Sequence, residues 1–341
     1  MNVYILCPDS QQPIGGIKII YQQIDILNQL GFKAFVLHTE QDFRCNWFSN
    51  QTQIAYFNQV KIEPIDIVWV PENAVIGRFK SLPNNERTFR KLTGRYKYKH
   101  SIIDIWNIDC RKWVFNQNAY LTFEEVDGVI SPEMLANFYH GIEAIICVSD
   151  NNMRYLNTVF PQIKIDRIHL GINEANIFKY NPPAQKERVI AYMPRKNADH
   201  IKRVLPLLYQ IPAVKNGAWV LKPLDKLVYT EIANQLHKAA IFLSFGYPEG
   251  SPMPPKEALI SGCLLVGYHG EGGLEYFPAS SKFNVPFGAV TDYALKVGEA
   301  INFWDNNSEV GNYTHELSSK ITSNYNEAEN TKDLQRIVKL F

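Results

Sequence analysis

Several signatures of common enzyme classes are missing from this sequence. It contains no G-x-x-x-x-G-K-S/T phosphate loop, no G-x-S-x-G nucleophile elbow and no H-E-x-x-H zinc motif. These absences argue against P-loop ATPases, α/β-hydrolases and zinc peptidases. No G-x-G-x-x-G follows the first predicted strand, so a nicotinamide enzyme would lack its usual glycine fingerprint.

Cysteine is scarce and scattered. The five thiols never form a C-x-x-C pair, which indicates reduced cysteines and neither a disulfide framework nor a zinc knuckle. No run approaches about 18 apolar residues, and the first residues lack the basic and apolar regions of a signal peptide. We therefore expect a cytoplasmic protein that neither is secreted nor spans a membrane.

Excess charge of either sign is absent as well, because 35 Lys and Arg face 34 Asp and Glu. Affinity for an anionic partner must come from a local patch, and nucleic acid is not an expected partner. The segment 78–99 is such a patch, with interleaved aromatic residues and Glu86 as its acidic residue. It fits a solvated basic face or peripheral docking on anionic lipid at the inner membrane face. Its basic residues are Arg78, Lys80, Arg87, Arg90, Lys91, Arg95, Lys97 and Lys99.

The 341 residues, 46% of them hydrophobic, are enough for two domains. Short apolar runs followed by helical periodicity predict an α/β fold with parallel sheets covered on both faces. A Pro-Pro stretch at 179–187 suggests a hinge between a domain 1–180 and a domain 181–324. A helix at about 325–341 is expected to pack back on the first domain. The predicted strands are Val3–Cys7, Ala34–His38, Ile65–Val70, Ala144–Ser149, Val189–Met193, Ala218–Leu221, Ala240–Ser244 and Leu264–Gly267.

The first strand–loop–helix unit has the clearest pattern. Gly15 and Gly16 join the strand to the helix, and Gly31 stands where a left-handed residue ends it. Paired glycines let a backbone approach a ligand, and the helix N-terminus offers free amides to anionic oxygen. A tight structural turn is the alternative. The apolar face of the helix is formed by Ile17, Ile20, Ile24, Leu27 and Leu30.

The most informative segment is 244–267, in which Glu249 and Glu257 flank Pro254 and Pro255. Proline at the first helical positions predicts that a helix begins there. Glu249 is then expected on a loop at a strand end, and Glu257 in the first turn of the helix. Two carboxylates so placed can both accept hydroxyls of one ligand, such as vicinal sugar or ribose diols. A capped helix with two surface glutamates is the structural alternative.

This segment resembles the E-x7-E signature of retaining glycosyltransferases of family 4. The following Ser-Gly-Cys, apolar strand and Gly-rich loop Gly270–Glu275 resemble that family too. The resemblance implies the GT-B fold, in which two Rossmann-like doubly wound domains face each other across a cleft. It also implies a nucleoside diphosphate sugar as donor and no metal or other cofactor. D-x-D, a feature of the metal-binding glycosyltransferase class, is absent from the chain.

The same resemblance assigns roles at the donor site. Glu249 would contact the transferred hexose, and Glu257 the ribose hydroxyls. The family usually has glycine where this chain has Pro252, so backbone donation to sugar and phosphate would rest on Ser251 and Met253.

Cations for the leaving diphosphate are also expected, by the same resemblance. Arg195 matches the family's arginine at a strand end. Its lysine corresponds to Lys196 or Lys202, and Lys202 could equally lie on a solvated helix face. Gly15 and Gly16 resemble the family's glycine loop near the diphosphate and the acceptor.

An acceptor site is expected after the strand-like Lys-Trp-Val-Phe. Gln117 and Asn118 lie where family members have polar residues near the reacting centre, although the usual histidine is not evident. A turn formed by the asparagines is the alternative.

Together these features predict a retaining glycosyltransferase that moves a hexose from a UDP-hexose such as UDP-glucose. The expected acceptor is a saccharide or a lipid-linked saccharide in polysaccharide biosynthesis. The alternatives are a GT-B sugar-nucleotide epimerase and a non-catalytic nucleotide-sugar or glycan-binding protein.

Overall fold

The computed structural model describes residues 1–72, 74, 105–124, 126, 129–172, 177–278 and 280–340. The basic and aromatic segment 78–99 lies outside the described residues, so its predicted membrane contact stays a prediction. Among the helices of the described part, none is long and apolar enough to cross a membrane.

The first compact unit comprises Met1–Val148, Asn152–Ile168 and Thr331–Phe341. Its seven strands form one sheet in the order β3-β2-β1-β4-β5-β6-β7. All the strand pairs are parallel. The strands are β1 (Val3–Leu6), β2 (Ala34–His38), β3 (Ile54–Tyr56), β4 (Ile67–Pro71), β5 (Arg111–Asn116), β6 (Ala144–Cys147) and β7 (Lys164–Arg167). Among the described residues, the helices that begin before His169 are α1 (Gly15–Gln29), α2 (Pro132–Phe138) and α3 (Asp150–Val159).

Helix α1 forms as its sequence pattern predicts. Ile17, Ile20, Ile24 and Leu27 are buried, because residues three and four apart share one helix face. Gly31 ends the helix with φ of 88°. The N–H of the next residue donates to the carbonyl of Leu27 at 3.1 Å. This is a Schellman cap, whose left-handed residue favours glycine.

The second compact unit comprises Ser149–Asn151 and His169–Asn330. Its sheet has four parallel strands in the order β11-β10-β8-β9. They are β8 (Glu187–Tyr192), β9 (Val220–Pro223), β10 (Ala239–Phe245) and β11 (Leu264–Tyr268). Its described helices are α4 (Ala198–Leu208), α5 (Pro212–Lys215), α6 (Tyr229–Lys238), α7 (Met253–Ile260), α8 (Val290–Asn306) and α9 (Val310–Asn324). The last helix, α10 (Glu327–Ile337), begins in the second unit and continues into the first.

Alternate residues of the central strand β10 pack into two different hydrophobic clusters. Ile241 and Leu243 pack in the cluster that contains Tyr293 of α8, whereas Phe242 packs in the cluster that contains Leu259 of α7. A strand alternates its side chains between the two faces, so helices cover both faces of this sheet. The predicted α/β fold with two parallel-sheet, Rossmann-like units is thereby confirmed.

The change from the first to the second unit comes between Ile168 and His169, and again near Asn330. The stretch 179–187, expected to be a hinge, therefore lies inside the second unit. Asn181 is buried there and its amide donates to the carbonyl of His237 at 2.9 Å. Near the C-terminus, Arg336 forms an ion pair with Asp166 of β7 within the first unit.

Candidate functional site

The two glutamates of the E-x7-E pattern lie at the carboxyl end of β10. Glu249 is on the loop between β10 and α7, with a side chain 20% exposed. Glu257 is the fifth residue of α7 and is buried, so it lies in the second turn and not in the first as expected. Pro254 and Pro255 occupy the first turn, where their missing N–H groups cost little. In α/β sheets ligands bind at this end of the strands.

The carboxylate of Glu257 is held from a neighbouring helix. The hydroxyl of Tyr229, the first residue of α6, donates to Glu257 Oε1 at 2.8 Å. This contact orients the carboxylate, a group that can accept several hydrogen bonds at once.

Two cations follow the end of the adjacent strand β8. Lys196 Nζ lies 2.5 Å from Glu249 Oε2. Arg195 is exposed, and within the described part of the chain it has no hydrogen bond or ion pair. Lys196, Ser244 and Glu249 line a cavity of about 20 Å³ between the ends of β8 and β10. A cation and a carboxylate are thus brought together at the carboxyl ends of β8 and β10.

Lys202 lies elsewhere. Its side chain is 78% exposed on α4, and its Nζ is 3.8 Å from Asp199 of the same helix. Lys202 thus lies on a solvated helix face, which was the alternative considered for it from the sequence. The geometry therefore favours Lys196 over Lys202 as the lysine of the site.

The loop before α7 is supported by a lysine that sequence reasoning missed. Lys256 is completely buried, and its Nζ donates to Ser251 Oγ at 2.9 Å. The ammonium also lies 4.6 Å from the ring centre of Tyr325, an aromatic face that attracts cations. Pro252 accepts a hydrogen bond from the hydroxyl of Tyr276 at 2.6 Å. A charged residue in an otherwise apolar helix was the available signal.

Met253 is the first residue of α7, and no side chain caps that helix end. Because Pro252, Pro254 and Pro255 have no N–H, Ser251 and Met253 are the residues nearest the helix start that can offer backbone donors. The structure thus keeps both predicted donor-binding residues at the carboxyl end of β10.

The Gly-rich loop after β11 packs directly against the Glu249 loop. The N–H of Glu249 donates to the carbonyl of Gly270, and the N–H of Gly272 donates to the carbonyl of Glu249, both at 3.1 Å. A Cβ atom on Gly272 would lie 1.9 Å from the carbonyl oxygen of Gly250. Glycine is therefore required here by close backbone approach.

Gly272→Ala is expected to lower the free energy of unfolding by about 1–3 kcal/mol, because the new methyl group must displace backbone. Urea denaturation measures the change. Gly273→Ala is the matched control, since its Cβ would lie 3.4 Å from the nearest atom, Pro252 Cγ. Equal losses of stability in the two variants would contradict this account of the loop.

In the first unit, Gly15 and Gly16 form the start of α1, as predicted. Ile14 precedes them and offers no side-chain cap. The N–H of Ile17 donates to the Ile14 carbonyl at 3.0 Å, so within the described residues the N–H groups of Gly15 and Gly16 are the first-turn donors left for an anionic ligand. The side chain of Gln117 packs on Gly16, and its Nε2 donates to the Gly16 carbonyl at 3.1 Å. The structure therefore places Gln117, on the loop after β5, in contact with the glycine loop that contains Gly15 and Gly16.

Asn118 has a structural role. Its Oδ1 accepts the N–H of Tyr120 at 3.1 Å and so caps a short 3-10 turn at Ala119–Leu121. This matches the turn-forming alternative for its side chain, while its neighbour Gln117 contacts Gly16.

Glu72 is a second residue that sequence reasoning missed. It follows β4, is 6% exposed, and accepts the backbone N–H groups of Gln117 at 3.1 Å and Asn118 at 3.0 Å. Burial raises the pKa of the Glu72 carboxyl to about 7, although these two N–H donors lower it. The signal available in the sequence was a glutamate directly after a fully apolar strand.

The raised pKa of Glu72 predicts a pH-dependent stability. The ordinary value is 4.5 and the folded value about 7, so folding favours the protonated form. The contribution of Glu72 is therefore fully present below pH 4.5 and is lost as pH rises through about 7. Relative to Glu72→Gln, the wild-type free energy of unfolding should fall by about 3 kcal/mol over this range. Urea denaturation of both proteins at several pH values measures it, and parallel pH profiles would contradict it.

Within the residues that the structure describes, no group of three or more His, Cys, Asp or Glu side chains could hold a metal ion.

No protein-family profile matches the chain. The chain is 25% identical over 313 residues to an alpha-1,6-glucosyltransferase of Actinobacillus pleuropneumoniae serotype 7 (strain AP76), which covers 89% of this chain and 84% of that protein. The sucrose-phosphate synthase structure from Thermosynechococcus elongatus matches with a TM-score of 0.64 and 11% identity, over 100% of this chain and 98% of the other. Anabaena HepE, solved in complex with UDP, matches with a TM-score of 0.64 and 11% identity over 100% of both chains. The chain therefore has the GT-B fold and is a homologue of glycosyltransferases.

Proposed function

We propose that this chain is a retaining glycosyltransferase that moves glucose from UDP-glucose to a hydroxyl of a saccharide or lipid-linked saccharide. The observation that carries the proposal is the grouping of Glu249, Glu257, Arg195 and Lys196 at the carboxyl ends of β8 and β10. The alpha-1,6-glucosyltransferase relative supports glucose as the sugar, and the UDP complex of the structural neighbour supports the base. We assign the reaction to polysaccharide biosynthesis.

Acidic and basic side chains would bind different parts of the donor. Glu257 accepts the ribose hydroxyls, and Glu249 accepts hydroxyls of the glucose. Arg195 and Lys196 bind the diphosphate, together with backbone N–H groups of Ser251 and Met253. In the first unit, the amides of Gly15 and Gly16 offer further donors to anionic oxygen.

The chemical difficulty is charge separation. As the bond between glucose C1 and the phosphate oxygen breaks, the diphosphate gains negative charge and the sugar becomes oxocarbenium-like. Fixed cations stabilise this transition state more than the ground state and so lower the barrier. Arg195 and Lys196 are the cations that supply this stabilisation, without a metal ion.

Retention follows if the acceptor attacks the face that the diphosphate leaves. The acceptor oxygen bonds to C1, its proton passes to the departing phosphate oxygen, and the products are UDP and an α-glucoside. No side-chain base is then needed. Gln117 is assigned to the acceptor, and Asn118 caps the turn beside it.

Calorimetric titration of the full chain with UDP, GDP and ADP in EDTA tests the donor assignment. We expect tight binding of UDP alone without a metal. Preferred binding of GDP or ADP would overturn the assignment of uridine, and a requirement for a divalent cation would overturn the metal-free site.

A further inference from the structure

We infer that Glu72 is a positioning residue that sets the backbone of the acceptor-binding segment 117–118, and this inference rests on the proposed function. Glu72 lies at the carboxyl end of β4, whereas the segment follows the neighbouring strand β5. Its two carboxylate oxygens each accept one of two consecutive backbone N–H groups, those of Gln117 and Asn118.

The contact between Glu72 and the backbone of Gln117 also fixes the position of the Gln117 side chain. With its N–H held by Glu72, the side chain of Gln117 reaches Gly16, and its Nε2 donates to the Gly16 carbonyl at 3.1 Å. A Cβ atom on Gly16 would lie 3.1 Å from Gln117 Oε1, so the amide packs closely on the glycine loop. Glu72 thereby sets the distance between the acceptor-binding segment and the start of α1.

The carbonyl oxygen of the same Gln117 amide bears on the ligand chemistry. Gln117 Oε1 is buried and, among the described residues, has no hydrogen-bond partner. A buried acceptor left unpaired is costly, and a ligand hydroxyl is one kind of donor that would remove this cost. Because sugars supply hydroxyl donors, Glu72 holds Gln117 in place to accept a hydroxyl of the acceptor saccharide.

The same strand offers a matched control at its other end. Asp66 immediately precedes β4, is 1% exposed, and accepts the backbone N–H groups of Asn2 at 2.6 Å and Glu63 at 3.0 Å. Asp66 and Glu72 are thus buried carboxylates that each hold two backbone amides of the same unit. They differ in lying at the amino and the carboxyl end of β4, so the account gives only Glu72 a role at the site.

The first readout needs no substrate. Hydrogen exchange of the full-length protein is followed by mass spectrometry on peptides spanning 113–121. Glu72→Gln replaces one accepting oxygen by an NH₂ group, so exchange at Gln117 and Asn118 should accelerate, whereas Asp66→Asn should leave these peptides unchanged. Unchanged exchange in Glu72→Gln would overturn the inference. If that variant does not fold, Glu72→Asp, which keeps the charge but shortens the reach, gives the same comparison.

The second readout is UDP release from UDP-glucose with methyl α-D-glucopyranoside as the hydroxyl acceptor. Glu72→Gln should lower kcat/KM for the glucoside by about 100-fold, the size of effect that a misplaced binding group produces. The KM for UDP-glucose should not change, and Asp66→Asn should resemble wild type. Equal losses in the two variants, or a parallel rise in the KM for UDP-glucose, would overturn the inference. If the wild-type protein releases no UDP, the proposed function fails, and hydrogen exchange still decides the role of Glu72.

Discussion

Arg195→Ala is expected to lower kcat for glucose transfer by about 100- to 1,000-fold, the range seen when one preorganised charge-stabilising group is removed. Arg195 is exposed at the end of β8, and within the described residues it has no hydrogen bond or ion pair. Its charge therefore remains available to the diphosphate. Initial rates of UDP release at saturating UDP-glucose measure the change.

Arg203→Ala is the matched control for this prediction. Arg203 is an exposed arginine on α4 to which the proposed function gives no role, and its removal changes the net charge equally. We expect wild-type kcat for it. Should Arg195→Ala retain wild-type kcat, or should both variants lose activity alike, the assignment of Arg195 to the leaving diphosphate is wrong.

Glu257→Gln is expected to weaken UDP binding by about 100-fold, because a charged acceptor of ribose hydroxyls contributes about 1.5–3 kcal/mol per hydrogen bond. The substitution keeps the shape of the side chain and its place in α7, so the fold should persist. Calorimetric titration with UDP measures the affinity directly, without a sugar or an acceptor.

Tyr229→Phe tests the hydrogen bond to the Glu257 carboxylate apart from the carboxylate itself. This variant removes the hydroxyl that donates to Glu257 Oε1 but leaves the carboxylate in place. We expect a loss of UDP affinity of about tenfold or less, as for one hydrogen bond. If Tyr229→Phe weakens UDP binding as much as Glu257→Gln, Glu257 serves the packing of α6 on α7 and not the ribose.

The parts of the fold that the sequence predicted are those in which one local pattern dominates. Helix α1 has a single buried stripe and a glycine at its end, and β10 is a continuous apolar run that is fully buried. Strand β7 was missed because Lys164–Arg167 is polar and none of its residues is fully buried. An edge strand needs only one neighbour, so its sequence carries little hydrophobic signal.

In the candidate site, too, only residues that belong to a local sequence pattern could be predicted. Glu249, Glu257 and Arg195 could be proposed as site residues because they fall within a recognisable spacing along the chain. Glu72 and Lys256 could not, because each acts through a partner that only the fold brings near. Glu72, after β4, accepts the N–H of Gln117, which follows the neighbouring strand β5. Lys256 lies within α7 and donates to Ser251 in the loop before that helix. The Pro-Pro stretch at 179–187 lies within the second unit, so its composition does not mark the boundary between the units.

The central claim is that glucose passes from UDP-glucose to a sugar hydroxyl with retention. Proton NMR of UDP-glucose and methyl α-D-glucopyranoside, incubated with the full chain in EDTA, tests this most directly, because it shows the configuration of the new linkage. The account predicts a new α-glucosidic anomeric signal that grows in step with UDP. A β-linked product, or loss of UDP-glucose without any new glycosidic signal, would contradict it.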